Sequence, residues 1–323
     1  MKKNLMFLAL AAVGLASCNG GFKKGENGLL YNKYTDKSGP KINEGDFVMV
    51  NLVVKNDADS VLFSSYEDGH PQPLLVPKPQ YHGDLFDGIK LLAEGDSATI
   101  KLSADSIFKK SPKPPTFKGK YVIYDVKIEK LIPKGKMTDQ VFQSTVTTYM
   151  TGLNTASKNA EPAKITKYIA DNKLNVTKTD SGLYYVITQK GNGPVIMPGD
   201  TAVVNYSGTT LNGKMFDSNV KADAIKGKLP NVAQRSFAPI RFPVGRKAVI
   251  AGWDQGLLLL NKGAKATFVI PSSLAYGERG NGPIGSYTPL AFTVELVDIV
   301  HPKLTAPKPT VALPPVKSVP LKK

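Results

Sequence analysis

The chain has 323 residues but one cysteine, one tryptophan and a shortage of acid, and each scarcity excludes something. A single thiol cannot close an intrachain disulfide or supply a thiolate metal site. With 26 acidic against 42 basic side chains, the formal charge is +16. Such a surface suits anionic partners, yet no nucleic-acid motif accompanies it, so no nucleic-acid partner is expected. A lone tryptophan usually just buries apolar area. Trp253, between Gly252 and Asp254 in "RKAVIAGWDQGLLLL", is either such an anchor or the flat floor of a site.

What is abundant is punctuation. There are 29 glycines and 24 prolines, and the hydrophobic fraction of 41% is enough for a real core. This length points to two domains, with strands outnumbering helices.

The start reads as a targeting segment. "MKKNLMFLALAAVGLASC" carries Lys2 and Lys3, then an apolar run over residues 5–15, then small residues. That run is too short to span a bilayer. Leu15-Ala16-Ser17-Cys18 resembles the bacterial lipobox, in which the thiol is acylated and becomes residue one. The alternative is an ordinary secretion signal with a chance cysteine. The lipobox reading gives a signal peptide over 1–17, lipidation at Cys18 and a tether over 18–27. It also gives a membrane partner through Cys18 and a place on the outer membrane facing the periplasm. At the other end, residues 303–323 are rich in Pro and Lys and hold no acid. They are either a solvated tail or an attraction to anionic lipid or cell-wall polymer.

Sliding the chain over itself shows a duplication. With Gly28 on Gly182, an offset of 154, "GLLYNKYTDKSGPKINEGDFVMVNL" lies ungapped over "GLYYVITQKGNGPVIMPGDTAVVNY". Further on the offset is 168, with Gly88 on Gly256 and Gly95 on Gly263. Two homologous domains follow, over 28–133 and 176–302. Between them, residues 138–174 read as a helical linker: Val141, Phe142, Thr145, Tyr149 and Leu153 recur at helical spacing. Pro162 suits the first turn of a second helix there. Elsewhere the pattern is of short alternating strands, and Asn212-Gly213 is the best hairpin signal.

In the second copy, "VVNYSGTTLNGKMFDS", "VIAGWDQGL", "LAYGERG" and "FTVEL" resemble, in order and nearly in spacing, the signatures of FKBP-type peptidyl-prolyl isomerases. The resemblance covers residues 180–300. It implies an α+β fold: two antiparallel half-barrels, each wrapped on a short helix and joined by a helical spacer. It also implies a pocket built by Tyr206, Phe216, Asp217, Ile250, Trp253, Tyr276 and Phe292, with Val249, Ile240 and Ile284 as further substrate contacts. Trp253 becomes the floor for the proline ring. The Ile250 amide and the Tyr276 hydroxyl become donors to ligand carbonyls, and Asp217 braces the pocket. No metal and no cofactor is implied.

This copy departs from the family at three places. Residues 219–239 form an inserted loop on the rim, Ile240 stands where an aromatic is common, and the flap reads "GPIGSYTPL". In the first copy the site dissolves. Tyr206 becomes Leu52, Trp253 becomes Leu85, and Val249 and Ile250 become Tyr81 and His82. Tyr276 becomes Phe108 and, allowing a one-residue gap, Asp217 becomes Ser64 beside Phe63. No partner for His82 is visible in sequence. The expected protein is an envelope-anchored prolyl isomerase acting on unfolded or Pro-containing envelope clients. Its rivals are a non-catalytic chaperone or binding lipoprotein using both domains, and a glycan-binding lipoprotein, which the convergence of the aromatics disfavours.

Overall fold

The computed structural model describes residues 21–302 except 111 and 114–116. The signal peptide, Cys18 and the tail over 303–323 lie outside the described residues. The chain divides into two compact units, one ending at Leu153 and one starting at Asn154.

The first unit is a seven-stranded antiparallel sheet: β1 (Lys23–Lys24), β2 (Leu30–Thr35), β3 (Phe47–Asn56), β4 (Val61–Ser64), β5 (Gln72–Leu75), β6 (Ser97–Ser103) and β7 (Tyr121–Ile132). Short helices α1 (Ser65–Asp68), α2 (Leu85–Ile89) and α3 (Ala104–Ile107) interrupt it. Strand β1 pairs with β2, Lys23 opposite Tyr31, so the sheet starts inside the stretch expected to be a tether. The spacer is one helix, α4 (Asp139–Asp171). The second unit repeats the sheet as β8 (Thr177–Lys178), β9 (Tyr184–Gln189), β10 (Thr201–Thr210), β11 (Met215–Ser218), β12 (Ile240–Pro243), β13 (Lys265–Ile270) and β14 (Leu290–Val300). Its helices are α5 (Lys221–Lys226) and α6 (Ala251–Leu257).

The strand orders are β1-β2-β6-β7-β3-β4 and β8-β9-β13-β14-β10-β11, with β5 on β3 and β12 on β10. Strand for strand these are one topology, and the fold is α+β with two antiparallel sheets and a helical spacer. The repeated Gly-Asp pairs show why the duplication survives as structure. Asp46 and Asp200 are buried, and each accepts from the backbone three residues earlier, Asn43 at 2.8 Å and Met197 at 2.9 Å. Each closes the turn into the long central strand.

Each unit has its own core. In the first, Val48 and Val50 of β3 face a cluster with Ile89, Ile100 and Ile128. Phe47 and Met49 face the other way, and Phe142 of α4 covers them together with Ile132. Cover on both faces explains why "FVMV" is a continuous apolar run. The covered stripe of α4 is Phe142, Val146, Tyr149 and Met150. Val141, Thr145 and Leu153 of the sequence pattern are exposed; Val141 and Thr145 each fall one step off the stripe.

Pro162 does not open a second helix; it sits inside α4. An interior proline removes one helix hydrogen bond and costs about 3 kcal/mol. Side chains on either side are held by the second unit: Glu161 and Ile165 are buried. Tertiary packing keeps the helix running where the local signal favours a break. The Asn212-Gly213 hairpin forms as expected between β10 and β11, with Gly213 at φ +90°, a conformation that glycine adopts without strain.

Candidate functional site

Helix α6 starts where Ile250 brings extended backbone to its end, the Ile250 carbonyl accepting from the amides of Trp253 and Asp254 at 2.9 and 3.2 Å. The buried Asp254 carboxylate accepts from Gly245 and Lys247 at 3.0 and 2.8 Å, tying the incoming turn to the helix. This fixes Trp253 at the head of α6. Its side chain is 4% exposed, and its indole N–H is buried with no hydrogen-bond partner among the described residues.

Three rings surround it. Tyr206 lies at 5.1 Å and Phe292 at 5.2 Å, both edge-to-face, and Phe242 at 5.8 Å. Phe216 packs edge-on against Phe292 at 5.6 Å. Edge-to-face contacts of this kind favour one fixed arrangement of rings over a greasy heap. Gly208 makes room: a Cβ there would lie 2.6 Å from Phe292 and 2.7 Å from Phe216. Ile240, Val249, Ile250 and Tyr276 are partly buried against the same cluster, and Ile284 of the flap turns into it, 4% exposed. Among the described residues no acceptor meets the Ile250 amide. The apolar residues expected at the site therefore share one core cluster with Trp253, and Tyr206 and Phe292 touch its ring directly.

Asp217 sits at the polar edge. The Tyr206 hydroxyl donates to one of its oxygens and the Arg235 guanidinium to the other. Burial first, and the Asp217 carboxylate second, push the Tyr206 phenol far above its ordinary range and keep it protonated. Arg235 comes from the insertion, which is no open loop. It contains α5 and a 3-10 turn at Val232–Gln234. Asn219 staples its base, accepting from the Tyr206 amide at 2.7 Å and donating to the Val204 and Ala238 carbonyls. Arg235, Phe242 and Asn219 were not singled out from sequence. For Phe242 a signal existed: it shares the inward face of β12 with Ile240, two residues back.

A cleft of about 300 Å³ lies on the other face of this sheet, bordered by Ser207, Thr209, Thr267, Thr293 and Asp223. Side chains alternate across a strand, so Ser207 and Thr209 point away from the face that carries Tyr206. The cleft mixes polar and apolar lining and reaches Phe292, but touches neither Trp253 nor Tyr276.

The first unit corrects one correspondence. Phe63 pairs with Val54, and Asp217 pairs with Gly208, in ladders related by the ungapped offset of 154. The counterpart of Asp217 is therefore Phe63, not Ser64, and that of Phe216 is Leu62. No gap is needed, because both hairpins keep the same register up to β4 and β11. His82 does have a neighbour: its Nδ1 is 3.7 Å from a carboxylate oxygen of Glu26. One donor atom of Asp87 joins them within 4.8 Å, on the surface.

The second unit thus presents an antiparallel sheet with a short helix and a tryptophan ringed by aromatics. Residues 193–297 match the model of the family described as FKBP-type peptidyl-prolyl cis-trans isomerase. Among curated proteins, the chain is similar to the FKBP-type peptidyl-prolyl cis-trans isomerase FkpA of Aeromonas hydrophila: 35% identical over 178 residues, covering 52% of this chain and 60% of that one. It is also similar to a probable FKBP-type peptidyl-prolyl cis-trans isomerase of Haemophilus influenzae: 41% identical over 130 residues, covering 40% and 47%. The chain thus spans about half to three fifths of the length of these relatives. The crystal structure of FkpA from Escherichia coli is 29% identical with a TM-score of 0.39, covering 51% of this chain and 75% of that one.

Proposed function

We propose that the second unit catalyses cis–trans isomerisation of Xaa-Pro bonds in unfolded or Pro-containing envelope proteins. In this reading the first unit is a degenerate copy without turnover, and a lipid on Cys18 anchors the chain to the outer membrane, facing the periplasm. The observation that carries the catalytic reading is the packing of Tyr206 and Phe292 on Trp253, in a cluster that also takes in Phe216, Ile250 and Tyr276.

Such a site needs no nucleophile. Amide resonance opposes rotation by roughly 18–20 kcal/mol, and Xaa-Pro bonds turn over in tens to hundreds of seconds unaided. Twisting the bond breaks the resonance and lowers the charge on the carbonyl oxygen. A dry aromatic floor therefore holds the twisted amide better than the planar one, which water solvates. Trp253 seats the proline ring, while the free Ile250 amide and the Tyr276 hydroxyl orient the flanking carbonyls. Tyr206 and Asp217 hold the wall in place.

A second reading, a binding module without turnover, is favoured by one feature of the first unit. Val61, Leu62, Phe63 and Tyr66 are all exposed on β4 and α1, an apolar surface suited to holding extended chains. NMR exchange spectroscopy on an Xaa-Pro peptide separates the two. A catalytic amount of the full chain should speed exchange, and Trp253→Leu, which installs the first unit's residue at that position, should abolish the effect. Unchanged exchange alongside tight binding of a denatured client would make the binding reading the right one.

A further inference from the structure

The carboxylate of Glu161 stands out because nothing in the proposed chemistry uses it. It lies on α4, in the second unit, 8% exposed. One oxygen accepts from the Ser272 amide at 2.5 Å, the other from the Ser272 hydroxyl at 2.7 Å. A buried carboxylate is held only where both its oxygens are bonded, and here a single residue satisfies both.

Ser272 stands at the base of the loop that carries Tyr276. It opens the 3-10 turn Ser272–Leu274 at the end of β13, and its carbonyl accepts from the amides of both Ala275 and Gly277 at 2.9 Å. Gly277 in turn accepts from Tyr287, on the flap, at 2.9 Å. The contact with Ser272 spans 111 residues of sequence, so the spacer helix holds the base of this loop from outside the strand order of the sheet.

We propose that Glu161 is a positioning residue for the isomerase site: it clamps Ser272 so that the loop presents Tyr276 to the Trp253 floor. The inference rests on the proposed role of Tyr276. Helix α4 is then part of the working site as well as a connector, although it lies outside the stretch 193–297 that matches the family. Pro162 follows Glu161 directly, so the clamp falls where α4 has lost one of its own hydrogen bonds. Glu161 touches no substrate; it acts through Ser272.

The test uses the full chain. Glu161→Ala should lower kcat/KM toward an Xaa-Pro peptide about tenfold to a hundredfold, the scale on which a misplaced group slows a reaction. Glu161→Gln should recover most of that loss, because its amide oxygen still accepts from the Ser272 N–H and its NH2 reaches the hydroxyl. Thermal melts of both variants exclude simple unfolding. Where Tyr276→Phe itself loses activity, adding Glu161→Ala should cost less than the product of the two single losses, and fully multiplying losses would then overturn the proposal. Amide hydrogen exchange at Ala275 and Gly277 reads the clamp without reference to catalysis. Faster exchange in Glu161→Ala supports the clamp even where Tyr276→Phe proves fully active, which would place the failure in the role given to Tyr276. Unchanged exchange at both amides overturns it.

Discussion

Asp217 is the residue at which the site is most polar, and its two partners arrive from different kinds of sequence. Tyr206 was legible as a site residue because it stands in the strand motif "VVNYSG". Arg235 was not, because residues 219–239 carry no periodicity and only the folding of α5 and its following turn brings the guanidinium to the rim. The side chains of Arg235 and Asp217 are 29% and 39% exposed, so their ion pair contributes about 1 kcal/mol at most. Asp217→Ala should therefore melt close to the wild type while kcat/KM falls about tenfold, roughly 1.4 kcal/mol of lost transition-state stabilisation. The same network sets an alkaline limit. The folded-state pKa of Tyr206 is raised above its unfolded value of 10.0. The stability owed to its neutral phenol is complete below that value and is lost as pH rises past it. Tyr206→Phe should remove this part of the alkaline loss of stability, read as urea midpoints on either side of pH 10. A steeper alkaline decline in Tyr206→Phe would contradict the assignment.

At the scale of elements, the duplicated strands were legible because period-2 alternation and glycine turns are local signals. Ladder register and long-range anchoring were not. The gap first placed before Ser64 disappears once β3–β4 and β10–β11 are seen to share one register. The local pattern around Pro162 points to a helix start, its commonest helical position, and carries no mark of the buried Glu161 beside it. The register also matches residues of the two units position by position. Gly208 lets Phe216 and Phe292 meet over β10, whereas its counterpart under the 154 offset is Val54, which carries a Cβ at that ladder position. Gly208→Ala should push both rings and destabilise the chain by about 1–3 kcal/mol, the cost of overpacking a tight contact. Gly213→Ala is the control: its Cβ would meet open space, so only its positive φ opposes the change, for roughly 1–2 kcal/mol. Urea midpoints read the stability of both variants. Isomerase activity should fall in Gly208→Ala alone, because Gly213 lies on the hairpin tip, away from the rings.

The whole molecule has a basic balance and, on the lipobox reading, one fixed point at Cys18. Removal of residues 1–17 would take away Lys2 and Lys3 and leave a formal charge of +14. Charge of that sign draws a protein to an anionic surface but does not hold it there through salt. A single acyl chain binds reversibly, whereas two or three give stable anchoring. The lipid, not the charge, should therefore decide where the protein stays. The fold sharpens the geometry. Because Lys23 already pairs with Tyr31, the span between Cys18 and the sheet is about five residues, which reaches roughly 15–18 Å when fully extended at 3.3–3.6 Å each. That is half the reach of a tether running to residue 27, so an acylated Cys18 would hold the first unit close to the bilayer. Radiolabelled palmitate should enter the wild-type protein, which should stay with membranes through a high-salt wash. Cys18→Ala should take up no label and wash off. Equal labelling of the two proteins would sink the anchor, and loss of both from the membrane in salt would leave charge as the only attraction.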